Sequence, residues 1–283
     1  MTRISIATSC APWDGLPALV PAIAAAGFDG IEPALGDRRW DPQAAVAFWG
    51  NNPAMIDCSQ AADESAALKE LLDEHRLGCP CLGSYALSDD PEGIDLAFDV
   101  AAILGSDMLR VRVPWYGSGD CYSDVLAATR SRYRDLQDRA KAANTACLIE
   151  LHDRSICPSA SAAMRVLEGL DPARVGVIFD PGNYTSEGHE SIPMVLDILG
   201  PYLRHVHVKD AVIKRQDMAR DGVRWNGHHV CLGTGDIDWP WLVDALETRG
   251  YAGWWSIENF TGLERGPERM IADAAWLRGC ISS

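Results

Sequence analysis

Eight short runs rich in β-branched and apolar residues alternate with eight longer amphipathic runs along the whole chain. The β-rich runs are 3–9, 28–33, 79–85, 108–113, 146–152, 175–180, 203–208 and 253–258. The runs with helical periodicity are 16–26, 63–77, 91–104, 124–143, 160–170, 192–199, 239–249 and 267–278. When a helix-length segment separates each strand from the next, the strands pair in parallel and the helices cover the sheet. The 283 residues divide into eight units of about 35 residues, the length that a closed eight-stranded barrel requires. The expected fold is therefore α/β, a (β/α)8 TIM barrel, as one domain over residues 1–283. A doubly wound open sheet is the competing architecture. No G-x-G-x-x-G follows the first strand, so its usual nucleotide signature is missing.

Charge and cysteine usage narrow the function classes. The 25 Lys and Arg are outnumbered by 40 Asp and Glu, a formal net charge of −15. Such a chain has no surplus of cations to replace phosphate counterions, which argues against nucleic acid and against an anionic membrane surface. No run of about 18 apolar residues suits a membrane span. The opening MTRISIATSCAPW does not read as a secretory signal. Nine Cys without regular spacing read as free thiols of a reducing cytoplasm rather than as a disulfide scaffold or a zinc knuckle.

Strand side chains alternate between faces, and here the alternation separates apolar from charged. Leu148, Glu150 and His152 share one face opposite Cys147, Ile149 and Leu151. His205, His207 and Lys209 lie opposite Val206 and Val208, and Arg110 and Arg112 lie opposite Leu109, Val111 and Val113. The apolar faces suit packing on helices, so the charged faces point into the barrel. Unpaired charge there is costly. Glu150, Asp180, His207 and Glu258 each end one of the last four strands and fall at one depth. Three ionised carboxylates converge only if cations hold them. One imidazole with carboxylate oxygens suits a divalent ion, Mn or Mg by ligand hardness, with Co, Fe or Zn also fitting. The competing account is that some of the four are strand-end caps or ion pairs to Arg110, Arg112 and Lys209.

At these residues the chain resembles a known family. LIELH around Glu150, VGVIFDPGN around Asp180, HVHVKDA around His207, and LGTGDIDW followed by GYAGWWSIEN around Glu258 are similar to motifs of the sugar phosphate isomerase/epimerase group. These are xylose isomerase-like TIM barrels, related to ketose 3-epimerases, hydroxypyruvate isomerase, inosose dehydratase and endonuclease IV. The resemblance is strong over 146–259 and weaker before. It implies Glu150, Asp180, His207 and Glu258 as metal ligands, with Glu150 and Glu258 also flanking the substrate carbon as acid and base. Ketose 3-epimerases usually carry His three residues after the Asp ligand, where this chain has Asn183, and an Arg soon after the His ligand, where it reads Lys209-Asp210. Both departures separate it from a simple ketose 3-epimerase.

The implied activity is a divalent-metal-dependent isomerisation or epimerisation of a sugar or keto-sugar. A proton leaves a carbon next to a carbonyl and an enediolate forms. A lyase of the inosose dehydratase or 3-keto-glycoside eliminating kind uses the same first step. An endonuclease IV-like enzyme would need a basic cleft and more His ligands, and a binding module would leave the cluster idle. Candidate substrate contacts are His152, Asn183, Lys209 and Arg112, the last for a substrate oxygen or acidic group. Each has a structural alternative as a hydrogen-bonded or ion-paired barrel residue, as does His205. His228 and His229 read as solvated loop residues. Trp13, Trp115, Trp225 and Trp254 fall near strand ends or loops, where a ring can stack on a sugar.

Two long connections, 34–62 and 210–238, both follow strands and so belong to the catalytic face of a barrel. The separation of His207 and Glu258 exceeds a standard unit by about 16 residues. The segment from Asp210 to Gly235 carries Lys214, Arg215, Arg220, Arg224, Trp225, His228 and His229. It is expected to fold over the site. It could instead serve as a subunit contact in a homo-oligomer.

Overall fold

The computed structural model describes residues 2–38, 41, 43–218 and 222–282, with the side chains of 216–218 and 222–225 outside that description. The first half runs β1 (Arg3–Ala7), α1 (Leu16–Ala25), β2 (Gly30–Glu32), β3 (Ala34–Gly36), β4 (Met55–Asp57), α2 (Ala61–His75), β5 (Gly83–Ser84), α3 (Pro91–Leu104), β6 (Met108–Arg110) and α4 (Tyr122–Ala142). The second half runs β7 (Ala146–Glu150), α5 (Ala160–Leu167), β8 (Val175–Phe179), α6 (Pro181–Glu187), α7 (Ile192–Leu199), β9 (Leu203–Val208), β10 (Asp210–Met218), β11 (Gly222–Val230), α8 (Trp239–Thr248), β12 (Trp254–Ile257) and α9 (Pro267–Ile281).

Seven strands form one parallel sheet in the order β2-β1-β12-β9-β8-β7-β6. The chain's first and last strands pair, Ile4 beside Trp255, as a closed barrel requires. The remaining wall is the 78–84 segment. On one side, Ile31 N–H donates to the Gly78 carbonyl and Gly78 N–H to that of Asp29. On the other, Leu82 N–H donates to Met108 and Arg110 N–H to Leu82. Only Gly83–Ser84 of this wall is regular strand, pairing with β3. Pro80 lacks an N–H to donate, which shortens the ladder here. This is the expected α/β barrel, with its third wall less regular than the pattern suggested.

Alternation sorts the side chains as expected. The odd-numbered face of β7, with Cys147 and Ile149, joins the large core between strands and helices. Inside the barrel Cys81, Met108, Ala146, Leu148 and Ile178 form a separate apolar plug. Moving two residues up the strands from that plug replaces Met108 by Arg110, Leu148 by Glu150 and Ile178 by Asp180, all buried. The barrel floor is therefore apolar and the charged layer sits on it, at the C-terminal ends of the strands. Nine cysteines are free thiols, Cys10, Cys81, Cys147 and Cys157 among the buried ones. Among the described residues no helix is long and apolar enough to cross a membrane.

The long connection after β9 is not an open loop. It is an antiparallel hairpin, β10 against β11, with Asp210 opposite Val230 and Ile213 opposite Gly227. Its turn, including Arg220, and the side chains of Arg224 and Trp225 lie outside the described residues. The hairpin stands on α6: a Cβ at Gly227 would come within 2.5 Å of the Ser186 hydroxyl and 2.9 Å of that of Thr185. Glycine is what lets the strand approach the helix so closely.

Candidate active site

The four strand-end residues meet. Glu150, Asp180, His207 and Glu258 each offer a ligand atom, all within 4.8 Å of one another, and all four side chains are buried. His207 Nδ1 lies 3.1 Å from Glu150 Oε1, 3.5 Å from Glu258 Oε2 and 3.9 Å from Asp180 Oδ2. One nitrogen and three carboxylates with unlike hydrogen-bond duties form a donor set that suits a divalent ion with oxygen preference.

Local structure aims each group. Asp180 is the N-cap of α6, its Oδ1 accepting the Asn183 N–H at 3.0 Å. Pro181 follows as the first helical residue, where its missing N–H costs nothing. Capping ties up one oxygen and leaves Oδ2 facing the cluster. Gly182 is required beside it, because a Cβ there would lie 2.6 Å from Cγ of Lys209.

Two cations offset most of the cluster's negative charge. Arg110 Nη1 donates to Glu150 Oε2 at 2.7 Å and stands 3.9 Å from Glu258 Oε1. Lys209 Nζ donates to Asp180 Oδ2 at 2.6 Å, and it also pairs directly with Glu258. Metal site and ion pairs, the two sequence readings, thus use the same residues. Three carboxylates carry one charge more than Arg110 and Lys209 offset, and a cationic His207 or a bound ion can supply the remainder. Lys209 does not pair with Asp210, whose carboxylate instead accepts from the Gly233 and Gly235 N–H groups, each at 2.9 Å.

The charges shift one another. Burial raises the Asp180 carboxyl to about 6; Glu258 and Glu150 push the same way and Lys209 opposes them. Burial also acts on Glu258, but Lys209 and His207 outweigh it and bring that group down to about 2. Glu150 falls well below the usual carboxylate range: burial opposes this, and Arg110 and His207 prevail. His207 rises well above the usual imidazole range; burial acts against it, and Glu32 and Glu258 overcome that.

Glu32, at the end of β2, was not among the expected site residues. Its Oε1 lies 3.1 Å from His207 Nε2 and its Oε2 2.9 Å from His205 Nε2. It therefore holds His207 from behind with Nδ1 toward the three carboxylates, the arrangement in which an outer carboxylate fixes a ligand's tautomer. Glu32→Gln has one accepting oxygen for two histidines. It is expected to weaken divalent-ion binding about 10–100-fold in a calorimetric titration, and unchanged affinity would remove Glu32 from that role. The sequence signal was available: Glu32 ends a strand inside the barrel, as Glu150 does.

Above the cluster opens a cavity of about 550 Å³ lined by Glu150, Glu258, Lys209, Arg110, Arg112, His152, Asn183 and His229, with Trp49, Tyr85, Trp115 and Phe260 as aromatic walls. Each expected substrate contact reaches it, by different routes. Asn183 is buried and braced, donating to Glu150 Oε1 at 3.2 Å and accepting from Lys209 at 3.3 Å. His152 is half-buried with Nδ1 2.9 Å from Asp153 Oδ1, edge-on to Trp115. His205 stays in the barrel, its Nδ1 without a partner. His229 faces the cavity from β11 and is pushed down to about 4 by loss of water and by Lys209. His228 and His229 are both exposed, as expected, but they lie on a paired strand rather than in a loop. The hairpin root thus forms one wall of the cavity, through Gly227 and His229.

Comparisons agree with this architecture. Residues 20–280 match the family model of the xylose isomerase-like TIM barrel. An inosose dehydratase of Geobacillus thermodenitrificans (strain NG80-2) is 29% identical over 101 residues, a stretch covering 33% of this chain and 33% of that protein. The match thus spans a third of the relative's length. The apo structure of the 3-keto-D-glucoside 4-epimerase YcjR from E. coli superposes with a TM-score of 0.75 at 18% identity, covering 99% of this chain and 100% of that one. The IolI protein with a bound zinc atom gives a TM-score of 0.74 at 14% identity, covering 99% and 98%. At such identities the two structures establish a shared fold.

Proposed function

This chain belongs to the xylose isomerase-like TIM barrel family, and on that footing we propose that it is a divalent-metal-dependent enzyme that moves a proton at a carbon beside a carbonyl of a sugar-like substrate, as an isomerase or epimerase. The observation that carries the reading is the convergence of one imidazole and three carboxylates at the floor of an aromatic-walled cavity. Glu150, Asp180, His207 and Glu258 would hold the ion, Mn or Mg by their oxygen-rich character. When bound, it would supply Lewis acidity to neighbouring substrate oxygens and so acidify the intervening C–H.

The two glutamates are not equivalent. Both Glu150 oxygens are engaged, Oε2 by Arg110 and Oε1 by Asn183 and His207. Glu258 has Oε2 on Lys209 and His207, while the closest cation to Oε1 is Arg110, 3.9 Å away. Glu258 can therefore keep one oxygen in the cluster and offer the other to a substrate proton. Glu150 is the second group of the pair, and taking a proton requires it to loosen its bond to Arg110. Lys209 and Arg110 remain cationic throughout and stabilise negative charge that develops on the substrate.

The test is incubation of the ion-loaded protein in D₂O with a panel of ketoses and keto-glycosides, read by NMR. Deuterium at a retained carbon supports isomerisation or epimerisation; no exchange on any member removes the reading. A second reading, β-elimination, is favoured by the inosose dehydratase similarity and by His152, which Asp153 holds ready as a proton donor to a leaving hydroxyl. It would give an unsaturated ketone in the same spectra.

Ion binding should release protons in a pH-dependent way. With His207 raised above its ordinary value, about one proton leaves per ion near neutral pH. Below about 6 the Asp180 carboxyl also carries a proton in the ion-free protein, so release approaches two. Affinity thus falls as pH falls, and more steeply below about 6. Calorimetry in buffers of different ionisation enthalpy counts the protons; a pH-independent affinity between 5 and 8 would contradict this assignment.

A further inference from the structure

We propose that the substrate carries a carboxylate and that Arg112 receives it. This rests on the reading above, in which the cavity is the active site.

Each other cation at the cavity has an acidic neighbour. Arg110 has Glu150, Lys209 has Asp180 and Glu258, and Arg154 lies 3.7 Å from Asp153. Among the described residues no carboxylate lies at ion-pair distance from Arg112. Its guanidinium instead lies over two rings, 4.8 Å from the Trp115 centroid and 5.9 Å from that of Tyr85. The two rings hold the guanidinium in place and, among the described residues, no acceptor takes its N–H groups, which leaves them for a planar oxyanion of the kind that a guanidinium binds in bidentate fashion. The backbone is anchored as well: Arg112 N–H donates to Ala86 and its carbonyl accepts from Ser88, at 2.9 and 2.8 Å. A half-buried, braced and unpaired cation is unusual in a chain with a net charge of −15.

Charge balance points the same way. Arg110, Arg112, Arg154 and Lys209 face Glu150, Asp153, Asp180 and Glu258, an even match that a divalent ion turns positive. Glu32, behind His207, offsets one of those two charges, and a substrate carboxylate offsets the other. A phosphate dianion is disfavoured because, among the described residues lining the cavity, every other Lys or Arg already has a carboxylate neighbour.

The experiment measures binding to Mn-loaded protein by calorimetry, with ion content determined on the same samples. The probes are 2-keto-D-gluconate against D-fructose, D-glucuronate against D-glucose, and D-glucose 6-phosphate. At least one acid should bind about 10–100-fold more tightly than its neutral partner, and more tightly than the phosphate. Arg112→Met should erase that preference at unchanged ion content, and Arg112→Lys should restore it only in part. A preference that survives in Arg112→Met means the acid goes to the ion or Lys209 and overturns the proposal. So does the absence of acid preference in both pairs, or a preference for the phosphate. If the protein takes up no ion, the functional reading fails instead. The comparison of wild type with Arg112→Met then proceeds on ion-free protein, where loss of acid preference supports the proposal and its absence overturns it.

Discussion

Replacing His207 by Ala is expected to strip most of the divalent ion and to lower activity by about 10²–10³-fold, the several kcal/mol that a Lewis acid contributes to stabilising developing charge. His207 is the one nitrogen donor of the cluster, and its Nδ1 approaches all three carboxylates. Its loss also leaves Glu32 holding His205 alone, so the outer brace no longer has a ligand to orient. Fold retention is checked by an unchanged circular dichroism spectrum, and ion content by plasma mass spectrometry. Full occupancy in this variant would exclude His207 as a ligand.

How much of this was legible before the structure follows from the physics of each signal. Barrel and charged layer were readable because alternation is rigid. Once Ile149 must face a helix, Glu150 must face the axis, and a residue count along β7 or β9 needs no knowledge of partners. The hairpin was not readable. Its nine-residue strands, DAVIKRQDM and GVRWNGHHV, are polar through much of their length, so neither shows the apolar alternation that marks a half-buried strand. The seven-residue α6 is too short to show a period. The run 79–85 reads as one strand by its apolar content, yet Pro80 cannot donate to a ladder. Glu32 was within reach of the rule that found Glu150, since it too ends an inward strand. What no rule supplied was its partner: that Glu32 would meet His205 and His207 across the barrel is a consequence of closure, which brings β2 within reach of β9 although 173 positions separate Glu32 from His205. Arg112 was readable as a cation pointing inward, but its lack of an acidic mate appears only when every neighbouring carboxylate has been assigned.

Glu258→Gln is expected to keep most of its ion and to lose about 10²–10⁴-fold in the rate of deuterium incorporation at one substrate position, the contribution of a general base. The amide keeps size and one donor oxygen, and Lys209 retains Asp180 at 2.6 Å, so part of what the buried pair contributes survives. Glu150→Gln is the informative contrast. Arg110 has Glu150 at 2.7 Å but Glu258 only at 3.9 Å, and breaking a buried pair by neutralising one partner costs about 3–5 kcal/mol. That variant should therefore lose more thermal stability than Glu258→Gln, in which Lys209 keeps a second carboxylate, while Glu258→Gln shows the larger loss of exchange for its fall in melting temperature. The split separates a proton-transfer group from one whose charge also secures the barrel. Unchanged exchange in Glu258→Gln, with the ion still bound, would move the base to His152, which Asp153 orients, or to Lys209.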